Sequence, residues 1–132
     1  MRRVGILTVN LVAAMAFADI SAQAAEVIAL KSGETASIAN LFWVANCRSL
    51  LKGPMTVEVL EGPQEVAASI KEQKIVPHIQ NCAKPVDGGV LQLIAAKDLK
   101  ARVQAKLVLR VKYPTVDGER QKGHDIDLTI VP

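Results

Sequence analysis

The residues able to do chemistry are few, and their spacing restricts what they can do. Two cysteines, Cys47 and Cys82, stand 35 positions apart. An even count with no leftover thiol fits one intramolecular bridge, with free thiols, a bridge between chains and thiol chemistry as the alternatives. A bridge across that separation constrains the unfolded chain by roughly 4 kcal/mol before native strain is subtracted. His78 and His124 are the only histidines and no Cys-x-x-Cys occurs, so a close-spaced metal ligand set is not spelled out. A redox-active thiol would want a nearby partner cysteine or an activating base. His78 follows Pro77 in a loop, and His124 stands beside Asp125 at an expected hairpin tip; both read as ordinary exposed residues. Glu58 and Glu61 form a carboxylate pair on a strand edge and turn, without an aromatic cleft to hold a sugar. No Gly-x-Ser-x-Gly elbow, phosphate loop or dinucleotide fingerprint appears. The expectation is a non-enzymatic protein without cofactor or metal.

Residues suited to contact are easier to find. Phe42-Trp43 is the one concentrated aromatic feature, and Trp43 lies four positions before Cys47. It reads as core packing near the bridge or as an anchor for a partner. Beyond the leader the aromatic set is Phe42, Trp43 and Tyr113, too few for a stacking platform, so nucleic acid is not an expected partner. Arg110 and Lys112 alternate with apolar residues near the C-terminus, and Arg120 and His124 follow in a polar stretch. The candidate partner contacts are Phe42, Trp43, Arg110, Lys112, Arg120 and His124.

The N-terminus sets the expected compartment. Arg2 and Arg3 precede an apolar run over residues 4–18, and Ala22-Gln23-Ala24 ends the stretch. Basic segment, apolar segment and small-x-small site are the three parts of a cleavable signal peptide. Residues 1–24 are read as that peptide, with cleavage before Ala25 or one residue later. The run of about 15 residues is short of the roughly 20 that a spanning helix needs. No cysteine follows directly to take a lipid, and no second long apolar run occurs, so stable membrane insertion after cleavage is not expected. Loss of Arg2, Arg3 and Asp19 lowers the net charge from +3 to about +2, too mild to argue for nucleic acid or an anionic surface. The expected location is periplasmic or secreted, where a disulfide persists.

Residues 25–132 form one expected domain, and their dominant hydrophobic period is two. Strands are expected at residues 26–31, 35–40, 55–60, 66–70 and 90–95. An apolar run at 41–44 leads into Cys47. Residues 71–74 read as a polar connection, and Asp87-Gly88-Gly89 as part of the loop after Cys82. Residues 97–105 fit a helical turn or an irregular connection. Strands at 106–113 and 125–131 flank residues 114–124, read as a long hairpin tip. In that hairpin Lys106, Arg110 and Lys112 are expected beside the acidic row of Asp125 and Asp127. Seven or so short strands between Gly/Pro breaks point to an all-β antiparallel sandwich.

The stretch from Asn46 to Pro132 carries Cys47, Gly53-Pro54, Thr56-Val57-Glu58-Val59, Gly62-Pro63 and Asn81-Cys82-Ala83-Lys84-Pro85. Gly88-Gly89, Arg110-Val111-Lys112-Tyr113 and Asp117-Gly118-Glu119-Arg120 follow. With these features it resembles small exported proteins of soil and root-associated bacteria. The resemblance implies a compartment and a fold, and no reaction. The strand count and the bridge extend this to an immunoglobulin-like sandwich, whose hallmark is a Trp packed on the disulfide. Here Trp43 precedes the first cysteine instead of lying between the two. The leading functional expectation is a binding or structural module meeting a protein or cell-envelope partner, its oligomeric state open. The alternatives are a strand-exchanging assembly protein, with residues 25–31 as donor, and a small inhibitor or hydrolase. An inhibitor would use the loop at 114–124; a hydrolase would need a cleft at His78 or His124.

Overall fold

The computed structural model describes residues 25–79 and 81–132; the expected leader at 1–24 lies outside them. The described residues are all-β, without a helix. The strands are β1 (Glu26–Lys31), β2 (Thr35–Leu41), β3 (Val44–Ala45), β4 (Arg48–Ser49), β5 (Thr56–Glu61), β6 (Val66–Ile75), β7 (Val86–Ala95), β8 (Val103–Thr115) and β9 (Gly118–Val131). One sheet runs β1-β9-β8-β5 and a second runs β2-β7-β6, with β3 and β4 as a small separate ribbon. All neighbours are antiparallel except β1 and β9, which run side by side in parallel.

Alternation explains the layering. Leu107, Leu109, Val111 and Tyr113 of β8 and Ile126, Leu128 and Ile130 of β9 are buried on one face. They meet Leu41 of β2 and Leu91, Leu93 and Ala95 of β7 in one core, closed at its side by Leu30 of β1. Each fully buried Leu or Ile contributes roughly 1.5–3 kcal/mol relative to exposure. Ser32-Gly33 and residues 97–100 lie at one end of the sandwich. The β8–β9 turn, the β3–β4 ribbon and the β6–β7 connection lie at the other.

Several segments differ from the sequence expectation. β6 continues through residues 71–74, and β7 begins at Val86, four residues before the apolar run. Gly88 and Gly89 are strand residues, not turn residues. A Cβ on Gly88 would lie 2.5 Å from the Leu41 carbonyl oxygen, and one on Gly89 would lie 3.0 Å from that of Lys71. The glycines are required by close approach. Bends at residues 97–98 and 100–101 precede Val103, which opens β8, so this segment is an irregular connection.

The largest correction concerns residues 114–124. They form no long tip: β8 runs to Thr115, β9 starts at Gly118, and the turn is Val116-Asp117 alone. Gly118 takes φ 106°, a left-handed position that Asp117-Gly118 supplies cheaply. The Thr115 hydroxyl donates to the Gly118 carbonyl and accepts from the Asp117 N–H, which closes the turn. The hairpin is therefore two long strands paired up to a short turn.

Candidate functional surface

The disulfide forms between Cys47 and Cys82, with Cα atoms 5.3 Å apart. Cys47 occupies the two-residue turn of the β3–β4 ribbon, where Asn46 and Cys47 both take positive φ (52° and 59°). That pair of left-handed residues is the type I′ pattern that tight hairpins favour. Cys82 is buried in the β6–β7 connection and follows Asn81, which is also left-handed at φ 56°. The bridge thus ties a turn to a connection at one end of the sandwich. The bridge is a clamp between loops, unlike the bridge between facing sheets of antibody domains.

The ribbon so held positions Trp43. The Trp43 carbonyl accepts from the Leu50 N–H at 2.8 Å, which anchors the base of the ribbon. The half-buried indole packs on Tyr113, with ring centroids 5.1 Å apart and planes tilted by 54°. Tyr113 is 2% exposed. Burial pushes its phenol pKa up to about 12, so it stays neutral and acts as packing. Lys122 Nζ stands 5.0 Å from the indole centroid on the open side. Such a cation–π contact contributes about 0.5–1 kcal/mol at a partly exposed site.

Register sorts the remaining candidates onto two faces. Tyr113 pairs with Arg120, Val111 with Lys122 and Leu109 with His124. Arg120, Lys122 and His124 therefore share the core-side face of β9, beyond the stretch the second sheet covers. Trp43, Arg120 and His124 are brought to one surface. His124 is a mid-strand residue and not at a tip, because the turn closes six residues earlier. Its Nε2 is buried without a hydrogen-bond partner. Burial lowers its pKa, while Glu26 pulls it up and Lys122 lowers it further.

Arg110 and Lys112 lie on the opposite, outer face. Each places a side-chain nitrogen 3.8 Å from Glu58 Oε2 in β5. Their acidic partner is thus Glu58 and not the Asp125–Asp127 row; only Lys106 stands opposite Asp127 in register. These exposed pairs set register and contribute little, at most about 1 kcal/mol. Phe42 is half-buried, and among the described residues it makes no ring contact. Sequence reasoning missed Lys122. Its signal was its spacing of two from Arg120 and two from His124, which becomes visible only once the stretch is known to be a strand.

Two hollows remain. A groove of about 600 Å³ at the hairpin end is lined by Leu51, Lys52, Met55, Glu72, Lys74 and Asp87, with an ion pair between Lys74 and Asp87. A second of about 480 Å³ at the far end has Ser32, Lys97, Asp98 and Lys100 in its wall. Neither contains a histidine, and His78 is exposed in the β6–β7 connection. Among the described residues no group of three or more His, Cys, Asp or Glu side chains is placed to hold a metal. No family model, curated protein or solved structure matches the chain.

Proposed function

We propose that the chain is an exported, non-enzymatic binding module that meets a protein or cell-envelope partner through the surface around Trp43. The observation that carries this reading is the mounting of Trp43. A half-buried indole is wedged on Tyr113, covered by Lys122 and held by a disulfide-tied ribbon. Rigid aromatic side chains flanked by basic ones are the residue types that dominate binding energy at protein interfaces. The disulfide accords with an oxidising compartment outside the cytoplasm. An immunoglobulin-like relationship draws support from strand number and two-sheet layering only.

Capture from periplasmic and envelope extract by the exported protein tests the proposal. A partner recovered by the natural chain should be lost with Trp43→Ala and retained with Glu58→Gln, which alters the outer face. Recovery of nothing above background, or equal recovery by both variants, would overturn it.

The donor version of strand exchange fails if β1 is paired within its own sheet and the protein is monomeric in solution, and the first condition is met. β1 is paired along its whole length, from Glu26 opposite Ile126 to Lys31 opposite Val131. The inhibitor reading has lost its protruding loop, since residues 114–124 are paired strand and a short turn.

A further inference from the structure

We propose that the half of β9 not covered by β1 accepts an extended segment of a partner protein as an added strand, one with acidic side chains at alternate positions. This rests on the binding-module reading and names its partner chemistry. β1 covers β9 only from Ile126 to Val131. Among the described residues no strand borders residues 118–125 on that side. Among the described residues the sheet therefore stops partway along its own edge, in line with a strand already present.

Two sets of bonds show which backbone groups face the gap. Lys52 N–H donates to the Pro114 carbonyl, and Val116 N–H to the Leu50 carbonyl. Even-numbered residues of β8 thus turn away from β9, and odd-numbered ones turn toward it. The unbroken β8–β9 register then directs Gly118, Arg120, Lys122 and His124 to β8. Glu119, Gln121, Gly123 and Asp125 are left pointing outward. At the other end of the strand Ser32 N–H donates to the Val131 carbonyl, which confirms that odd residues of β9 face the β1 side. Among the described residues no strand pairs with the N–H and C=O groups of Glu119, Gln121 and Gly123, and such regular spacing is a template for strand addition.

The side chains select the occupant. Arg120, Lys122 and His124 share one face of the free stretch, and Arg120 has no ion-pair partner among the described residues. Opposite charges on neighbouring strands contribute about 0.2–1 kcal/mol per pair. The chain already shows the pattern: Glu26, the first residue of β1, lies on this face and acts electrostatically on His124. The edges of β2, β5 and β6 are less suited. β2 and β5 carry register shifts at Ser37/Ala39 and Val59/Glu61, which interrupt regular pairing. β6 offers Lys71, Glu72 and Lys74, of both signs. The chain's own residues 18–24, continued in the β1 register, would set Asp19 against Glu119 and bring no acid to Arg120 or Lys122.

The test uses the exported, isotope-labelled protein and two short synthetic peptides of one composition. One alternates glutamate with valine; the other has its glutamates in a block. Amide exchange by NMR is the readout. The alternating peptide should bind about tenfold more tightly than the block peptide. It should slow exchange of the Glu119, Gln121, Gly123 and Asp125 N–H groups and leave those of Arg120, Lys122 and His124 unchanged. Gln121→Pro should abolish binding with the fold retained, since proline is tolerated where the N–H faces solvent on an edge. Arg120→Glu with Lys122→Glu should transfer the preference to a lysine-alternating peptide. No binding, binding of both peptides without edge protection, or edge N–H groups already protected in the protein alone would each overturn the proposal. If the extract partner is lost with Trp43→Ala but kept with Gln121→Pro, the binding-module reading stands and strand addition falls.

Discussion

His124 shows how one side chain can make this surface sensitive to pH. Its buried Nε2 lacks a partner, and burial is the main reason its pKa falls below 6.5. The folded state therefore favours neutral imidazole. The stability this gives is complete above pH 6.5 and is lost as pH drops through the lower folded value. Urea midpoints should thus fall between pH 7.5 and 5.5 by more in the natural chain than in His124→Gln. An NMR titration placing His124 at or above 6.5 would sink the idea. Glu26→Gln removes the neighbour that pulls the pKa up, so it should move the titration lower still. The sequence placed His124 beside Asp125 and no more. The burial comes from strand pairing with Leu109, a residue 15 positions earlier, which local residue types do not encode.

Among the elements, the disulfide-held ribbon carries the clearest stability prediction. Cys47→Ser with Cys82→Ser should cost roughly 4 kcal/mol on chain-entropy grounds, seen as a lower melting temperature with the β-type circular dichroism spectrum retained. Reductant should lower the melting temperature of the natural protein similarly and leave that of the double variant unchanged. Equal melting temperatures for the two proteins without reductant would show that the bridge contributes nothing. The bridge and the all-β class were legible from the even cysteine count and the period-two pattern. The last hairpin was legible only where one face is buried. At Leu107, Leu109 and Val111 alternation marks the strand. In residues 118–124 the second sheet no longer covers the inner face, so Arg120 and Lys122 replace apolar residues and the stretch mimics a loop. β6 was cut short for the same reason: residues 71–74 are exposed on both faces. At Gly88-Gly89 the misreading ran the other way, because glycine demanded by crowding looks the same as glycine demanded by a turn.

On the scale of the whole molecule, the disulfide is consistent with an extracytoplasmic location, and the leader makes a direct prediction. Expression of the full chain in a bacterium should yield periplasmic or secreted protein with an intact mass beginning at Ala25 or, one residue later, at Glu26. A cytoplasmic product retaining Arg2 and Arg3 would overturn the export reading. The candidate surface was partly legible at this scale. Trp43, Arg120 and His124 do come together, whereas Arg110 and Lys112 fall on the outer face, since a shift of one residue reverses the face of a strand. The parallel pairing of β1 with β9 also bears on kinetics. The strand β1 takes its neighbour from far along the chain, with Glu26 opposite Ile126 and Lys31 opposite Val131. Contacts of such long sequence separation form late and slowly. Until β9 forms, β1 has no neighbour in the four-stranded sheet, so that sheet is completed in a late step. Such a delay is compatible with the proposed export, in which a chain is threaded before it folds.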